Sequence, residues 1–301
     1  MKGYKIYQAQ IDAVLHYINM MVQHNWSSEP PNEFNKMLSI DTLSDIAAIS
    51  SRNLHLIFRA YTQESIHQYI NRLRLEYALY LLENKALTHI EVSEHIGFAN
   101  VTAFYNAFKK LFNLTPLQIQ KRNFTLEKVK PLAKYPFKTS YSIINIIDKP
   151  VLFIPFIGNY DTFSEDIFEK ESWDILYDYA TKHNLLSENT EYWGICYDSP
   201  QITSHDKCRF YACMTICTEI KLKLNSRIKN MIISAGQYAV YTHKGSYSLL
   251  DSFYNAILNN LPPQYILGEG LILEHYLNSP VDTTEDELLT EVLLPIVRQD
   301  K

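Results

Sequence analysis

Two short amphipathic helices joined by a tight turn occur twice in the first third of the chain, and this doubling constrains the fold more than any other feature. In the first unit Ile40, Leu43, Ile46 and Ala47 mark an inward helical face, the chain turns near Ser50, and Leu54, Ile57, Phe58 and Tyr61 mark the next. In the second, Thr88 and Glu91 have the spacing of a capping box, Gly97 supplies a stop, and Asn100 caps "VTAFYNAFKKLF". The units lie about 50 residues apart. A long helix from about Ser65, with Ile66, Tyr69, Ile70, Leu73, Tyr77 and Leu81 on one side, joins them. A leading helix presents Ile11, Val14, Leu15, Ile18, Met21 and Val22, and the stretch Asn25 to Pro31 is expected to end it. Periodicity alone fits a plain helical bundle equally well.

The residues themselves say more. From "DTLSDIAAIS" to "LTPLQIQKR" the segment resembles the DNA-binding domain of the AraC/XylS family of transcription regulators, most specifically in "YINRLRLEYALYLL" and "GFANVTAFYNAFKKLFNLTP". The resemblance implies an all-α tandem helix-turn-helix domain whose two second helices enter the major groove roughly 34 Å apart. Arg52, His55 and Leu56 in the first unit, and Thr102, Tyr105 and Asn106 in the second, would then face the bases. Leu56 and Asn106 stand where many members carry Arg, and Gln63 and Asn113 where Gly is usual. Asn can hold adenine at two points, and Thr or Leu can touch a thymine methyl, so the surface suits an A·T-rich site. Lys109, Lys110, Lys121, Arg122, Arg59 and Arg72 are expected on phosphates. Double-stranded DNA is the implied partner, and RNA polymerase a further one for a regulator.

Charge does not decide the matter. Residues 1–125 hold 12 Lys/Arg against 10 Asp/Glu, and 126–301 hold 16 against 23, giving the overall −5. At 301 residues, 47% hydrophobic and 20% charged, the chain suits a soluble protein of two domains. The start has no basic-then-apolar pattern and no apolar run nears the ~18 residues of a membrane span, so cytoplasm is expected and no membrane partner. Four cysteines, at 196, 208, 213 and 217, form no Cys-x-x-Cys pair and read as reduced structural thiols.

Beyond a Lys-rich stretch the periodicity changes. Strand-like runs appear at "YSIINIID" and "VLFIPFIG", a helix at "FSEDIFEKESWDILYDYATKH", and strands at "YWGICYD" and "RFYACMTI". The pattern then recurs as "KNMIIS", "YAVYTHKG", the helix "SLLDSFYNAILNNL", "LILEHYL" and "LLTEVLLPIV". "GNY" at 158–160 matches "GSY" at 245–247, offset by 87, and "CYDSP" at 196–200 matches "YLNSP" at 276–280, offset by 80, so duplication is expected. This half resembles the GyrI-like (gyrase-inhibitor-like) effector-binding domains of multidrug-responsive regulators, through "FIGNYDTF", "GICYDSPQIT", "GQYAVYTHKGSYSLL" and "EHYLNSP".

That resemblance implies an α+β pseudo-twofold domain with an aromatic-lined cleft, accepting lipophilic and often cationic small molecules around an acidic residue. Alternation in "LILEHYL" sets Ile272, Glu274 and Tyr276 on one face and Leu273 and His275 on the other. Glu274 is thus the candidate counter-charge, or else a paired structural carboxylate. Tyr276, Tyr160, Trp193 and Tyr247 are candidate walls, or core. The implied domains are 1–122 for DNA, 123–139 as linker and 140–301 for the effector. No catalytic motif is visible, and the cluster His205, Asp206, Cys208 fits no standard metal-ligand set, so neither a cofactor nor an enzyme is expected. The alternatives are a ligand-sequestering protein, or a hydrolase working through Glu274, with a DNA-binding half that no longer functions. The sequence leaves the oligomeric state open.

Overall fold

A computed structural model of the chain describes residues 7–24, 35–84, 87–121, 134–160, 167–200, 202–218, 220–222, 226–268 and 270–299. The Asn25–Pro31 break, Arg122 and residues 123–133 of the expected linker lie outside them. The chain divides into two compact units, the first formed mainly by residues up to 129 and the second mainly by residues from 130.

The first unit is helical. Helix α1 (Gln8–His24) buries Ile11, Val14, Leu15 and Ile18 as its spacing predicts, each worth about 1.5–3 kcal/mol when fully removed from water. Its buried polar residues Asp12 and Asn19 accept hydrogen bonds from Tyr61 and Tyr69, both at 3.3 Å. Helix α2 (Ile40–Ala47) starts at Ser39, whose side chain accepts from the Thr42 amide. Helix α3 (Ser51–Thr62) starts at Ser50 in the same way. The long α4 (Ile66–Asn84) leads to α5 (His89–His95), which opens with the expected Thr88–Glu91 capping box. Gly97, at φ 76°, then turns the chain towards α6 (Val101–Phe112), capped by Asn100, and α7 (Pro116–Gln120).

Helices α3 and α6 are each 12 residues long and end on left-handed Gln63 and Asn113, at φ 59° and 56°. Asn tolerates that conformation, whereas Gln pays roughly 1–2 kcal/mol for it. The Gln63 side chain offsets part of this by donating to the Ala60 carbonyl at 3.0 Å.

The second unit contains two copies of one plan. The first copy is β1 (Tyr141–Ile146), β2 (Lys149–Ile157), helix α8 (Ile167–Lys182), β3 (Tyr192–Cys196) and β4 (Arg209–Thr215). The second is β5 (Lys229–Ile233), β6 (Gly236–Lys244), helix α9 (Leu250–Leu258), β8 (Ile272–Tyr276) and β9 (Leu289–Arg298). A short β7 (Tyr265–Leu267), which the sequence reading lacks, pairs with β9.

The antiparallel order is β1-β6-β9-β8-β3-β4-β2-β5, with the pseudo-twofold between β8 and β3. Strand β6 repeats β2 at the offset of 87 and β8 repeats β3 at 80, so the matched peptides noted above are structural equivalents. Each copy also gives its first strand to the other: β1 pairs with β6 and β5 with β2.

Residues directly opposite in an antiparallel pair share a face. One face packs Leu152, Ile154 and Ala212 under α8, and Ala239, Tyr241, Val292 and Leu294 under α9. The other buries Val151, Phe153, Tyr211, Cys213, Val240, Leu273 and Leu293.

Candidate functional site

Glu274 sits at the middle of β8, directly across the pseudo-twofold from Gly194 and on the helix-covered face, as its alternation predicts. Its side chain is buried, at 5% exposure. Oε1 accepts from the Tyr254 hydroxyl at 2.7 Å and from the Cys196 thiol at 3.3 Å, while Oε2 accepts from Tyr276 at 2.6 Å. Burial raises the pKa of both Tyr254 and Cys196, and the neighbouring carboxylate adds to the shift, so both stay protonated and donate. Among the described residues no Lys, Arg or His forms an ion pair with Glu274. Its partners among the described residues are therefore all neutral donors.

Rings from both copies surround it. Tyr276 meets Trp173 of α8 edge to face at 6.1 Å and Tyr247 at 5.9 Å. Gly194 makes room for them, since a Cβ there would lie 2.7 Å from the Tyr276 hydroxyl and 2.7 Å from the Phe210 ring. Tyr160 lies on the first-copy side, its ring 6.3 Å from Phe210 and its hydroxyl donating to the Arg209 carbonyl at 2.5 Å.

The expectation for Trp193 fails on geometry. Trp193 pairs with His275, not Glu274, and so lies on the opposite face. There it stacks on the His275 ring at 4.2 Å and donates to Glu191 at 3.0 Å. Conversely, Tyr254, Trp173 and Cys196 join the site unannounced. The duplication carried a signal for Cys196, which is the counterpart of Tyr276 at the offset of 80. The cluster His205, Asp206, Cys208 spans a 3-10 turn, with Ser204 donating to Asp206 and Cys208 donating to backbone carbonyls.

In the first unit, Arg52, His55, Leu56, Thr102 and Asn106 are all exposed on α3 and α6, Leu56 to 63%. Arg52 and Thr102 occupy the same place in the two units, as do Leu56 and Asn106. Tyr105 is half-buried, its ring edge to face with His89 at 5.5 Å and Phe104 at 6.2 Å. Arg59, Lys109, Lys110 and Lys121 are exposed.

Arg72 is not available to phosphate. It is 6% exposed and held by Glu64 at 2.9 Å and Glu76 at 3.3 Å, with its guanidinium 5.0 Å from the Tyr69 ring. The two carboxylates raise its pKa against the opposing effect of burial.

Comparison with known proteins agrees with this architecture. Residues 139–297 match the family model for the GyrI-like small molecule binding domain, and 43–122 match a helix-turn-helix domain model. The chain belongs to the GyrI-like family. Its helical part is of AraC type. The Msm operon regulatory protein of Streptococcus mutans is 33% identical over 90 residues, 30% of this chain and 32% of that protein. The xylose operon regulatory protein of Escherichia coli is 33% identical over 88 residues, 29% of this chain and 22% of that protein. The chain thus aligns with a third or less of these curated relatives. Among solved structures, the EcmrR C-terminal domain is 17% identical, with a TM-score of 0.42, over 54% of this chain and 100% of that one. Within the GyrI-like domain, no group of three or more His, Cys, Asp or Glu among the described residues is arranged to hold a metal ion.

Proposed function

We propose that this protein is a DNA-binding transcription regulator whose GyrI-like domain holds a lipophilic cation against Glu274. What carries the reading is a buried carboxylate bonded, among the described residues, to two tyrosine hydroxyls and a thiol, walled by Tyr276, Tyr254, Tyr247 and Trp173. In such low-dielectric surroundings a charge acts far more strongly than in water, and each ring face adds cation–π attraction of about 0.5–2 kcal/mol. The exposed sets on α3 and α6, repeated at the same helical positions, support the DNA-directed half, as does kinship with proteins named as operon regulators. Base contact falls to Arg52, His55, Leu56, Thr102 and Asn106, with Tyr105 at the margin, and phosphate contact to Lys109 and Lys110. The role is one of binding, in keeping with kinship to proteins named as operon regulators.

The test is calorimetry with tetraphenylphosphonium and the uncharged triphenylphosphine oxide. Glu274→Gln keeps the shape and removes the charge, so affinity for the cation should fall at least tenfold, about 1.4 kcal/mol, and that for the neutral compound much less. Unchanged cation affinity in the folded variant returns Glu274 to a structural role, and new products after incubation with either compound would favour a hydrolase.

A further inference from the structure

Beside the site, the two copies in the GyrI-like domain also differ at a buried position of the strands flanking β8 and β3. Strand β9 repeats β4 at the offset of 80, which sets Thr290 where the first copy has Phe210. The Phe210 ring fills the first side of the site, pressed against Gly194 and facing Tyr160. Its counterpart is a much smaller side chain ending in a hydroxyl.

Thr290 is opposite Tyr276 on β8 and opposite His243 on β6, so all three share the face of Glu274. It is fully buried, and its hydroxyl has no hydrogen-bond partner among the described residues. Its neighbours are committed elsewhere. The Tyr276 hydroxyl donates to Glu274. His243 bonds through Nε2 to the Ser246 carbonyl at 3.0 Å and through Nδ1 to the Tyr135 hydroxyl at 2.8 Å. A buried hydroxyl left unpaired is costly, and Val would fill the same shape without that cost. The packing here therefore makes no use of the oxygen.

We infer that Thr290 is the second polar contact of the effector site. Its hydroxyl takes the hydrogen-bonding group, a hydroxyl, ether or carbonyl, of a cation whose charge lies at Glu274. Diagonal positions on neighbouring strands are roughly 7–8 Å apart, and Glu274 and Thr290 stand in that relation, since Glu274 pairs with Val292. The ligand class is thus a lipophilic cation carrying a polar group at about that distance from its charge. This rests on the reading of Glu274 as counter-charge.

The experiment uses the full chain with two probes, tetraphenylphosphonium and (4-hydroxyphenyl)triphenylphosphonium. Thr290→Val should raise the apo melting temperature by roughly 2–4 °C, because no bond is lost and an unpaired oxygen is removed. The same variant should bind the hydroxylated cation three- to tenfold more weakly, with affinity for the plain cation held within twofold. Thr290→Phe restores the ring of the first copy and should weaken both probes at least tenfold. A lower apo melting temperature in Thr290→Val, with both affinities unchanged, makes the hydroxyl structural and overturns the inference. Glu274→Gln separates the two claims. If it abolishes binding of both probes while the Thr290 variants bind as wild type, only the Thr290 contact fails; if it leaves both affinities intact, the counter-charge reading falls as well.

Discussion

Arg72 offers the sharpest contrast between the chain as a string of charges and the chain as a packed object. Its Nε and Nη2 donate to Glu64 at 3.0 and 2.9 Å, and its Nη1 reaches Glu76 at 3.3 Å. The side chains of Arg72 and Glu64 are only 6% and 9% exposed. Arg72→Ala would strand both carboxylates away from water, and breaking a buried pair by removing one partner costs about 3–5 kcal/mol. In a domain of roughly 100 residues each kcal/mol moves the midpoint by about 4–8 °C, so the unfolding transition of the AraC-type unit should fall by at least about 12 °C. Circular dichroism at 222 nm follows the melt, and hydrogen exchange at Glu64–Leu81 localises it. Replacing Arg72, Glu64 and Glu76 together by apolar residues should recover much of the loss, because the triad's desolvation cost then disappears. An Arg72→Ala protein with an unchanged melt and a DNA affinity lowered with a shallower salt slope would refute the buried-triad argument and restore Arg72 as a phosphate contact.

Two further expectations concern different parts of the molecule. Asn106→Ala should cost about 1–3 kcal/mol of preference for a cognate site over random DNA if Asn106 holds a base at two points, whereas Lys109→Ala should weaken both alike and reduce the salt slope by about one; titrations at several salt concentrations separate the two. His243 has its pKa lowered by burial, against an ordinary value near 6.5. Since the unfolded chain binds that proton more readily, the contribution of neutral His243 is complete above pH 6.5 and is lost as pH falls below it, so urea midpoints of the second unit should drop between pH 7 and 5 in the wild type and much less in His243→Gln.

Local chemistry was legible from the sequence wherever the relevant partner lies within a turn or two. The Thr88–Glu91 capping box, the Asn100 cap and the alternation around Glu274 were all readable because each is a relation over a few residues. The internal repeat was readable because both copies keep the same joints. Arg72 was misread because Glu64, eight residues earlier, lies across a helix boundary that periodicity does not bridge. Trp193 was misplaced for a subtler reason. Alternation says that Trp193 and Gly194 point opposite ways, but only the register of β3 against β8 decides which of them shares a face with Glu274. Tyr254 and Thr290 reach the site from a helix and a strand remote in sequence, and no spacing rule links them to it.

The exchange of β1 and β5 between the two copies has a consequence for how such a domain holds together. Strand β1 closes against β6 and β5 against β2, so neither copy completes its own sheet. A copy severed from its twin would leave a bare edge of unpaired amides and carbonyls along β2 or β6, the kind of edge that recruits another strand. Two identical severed copies could satisfy one another by the same reciprocal insertion, which is the geometry of a domain-swapped dimer. The present domain is in effect such a dimer written on one polypeptide. On a single polypeptide the twins need not be identical, and here one carries Gly194 and Phe210 where the other carries Glu274 and Thr290. A symmetric pair could only have offered the same group twice.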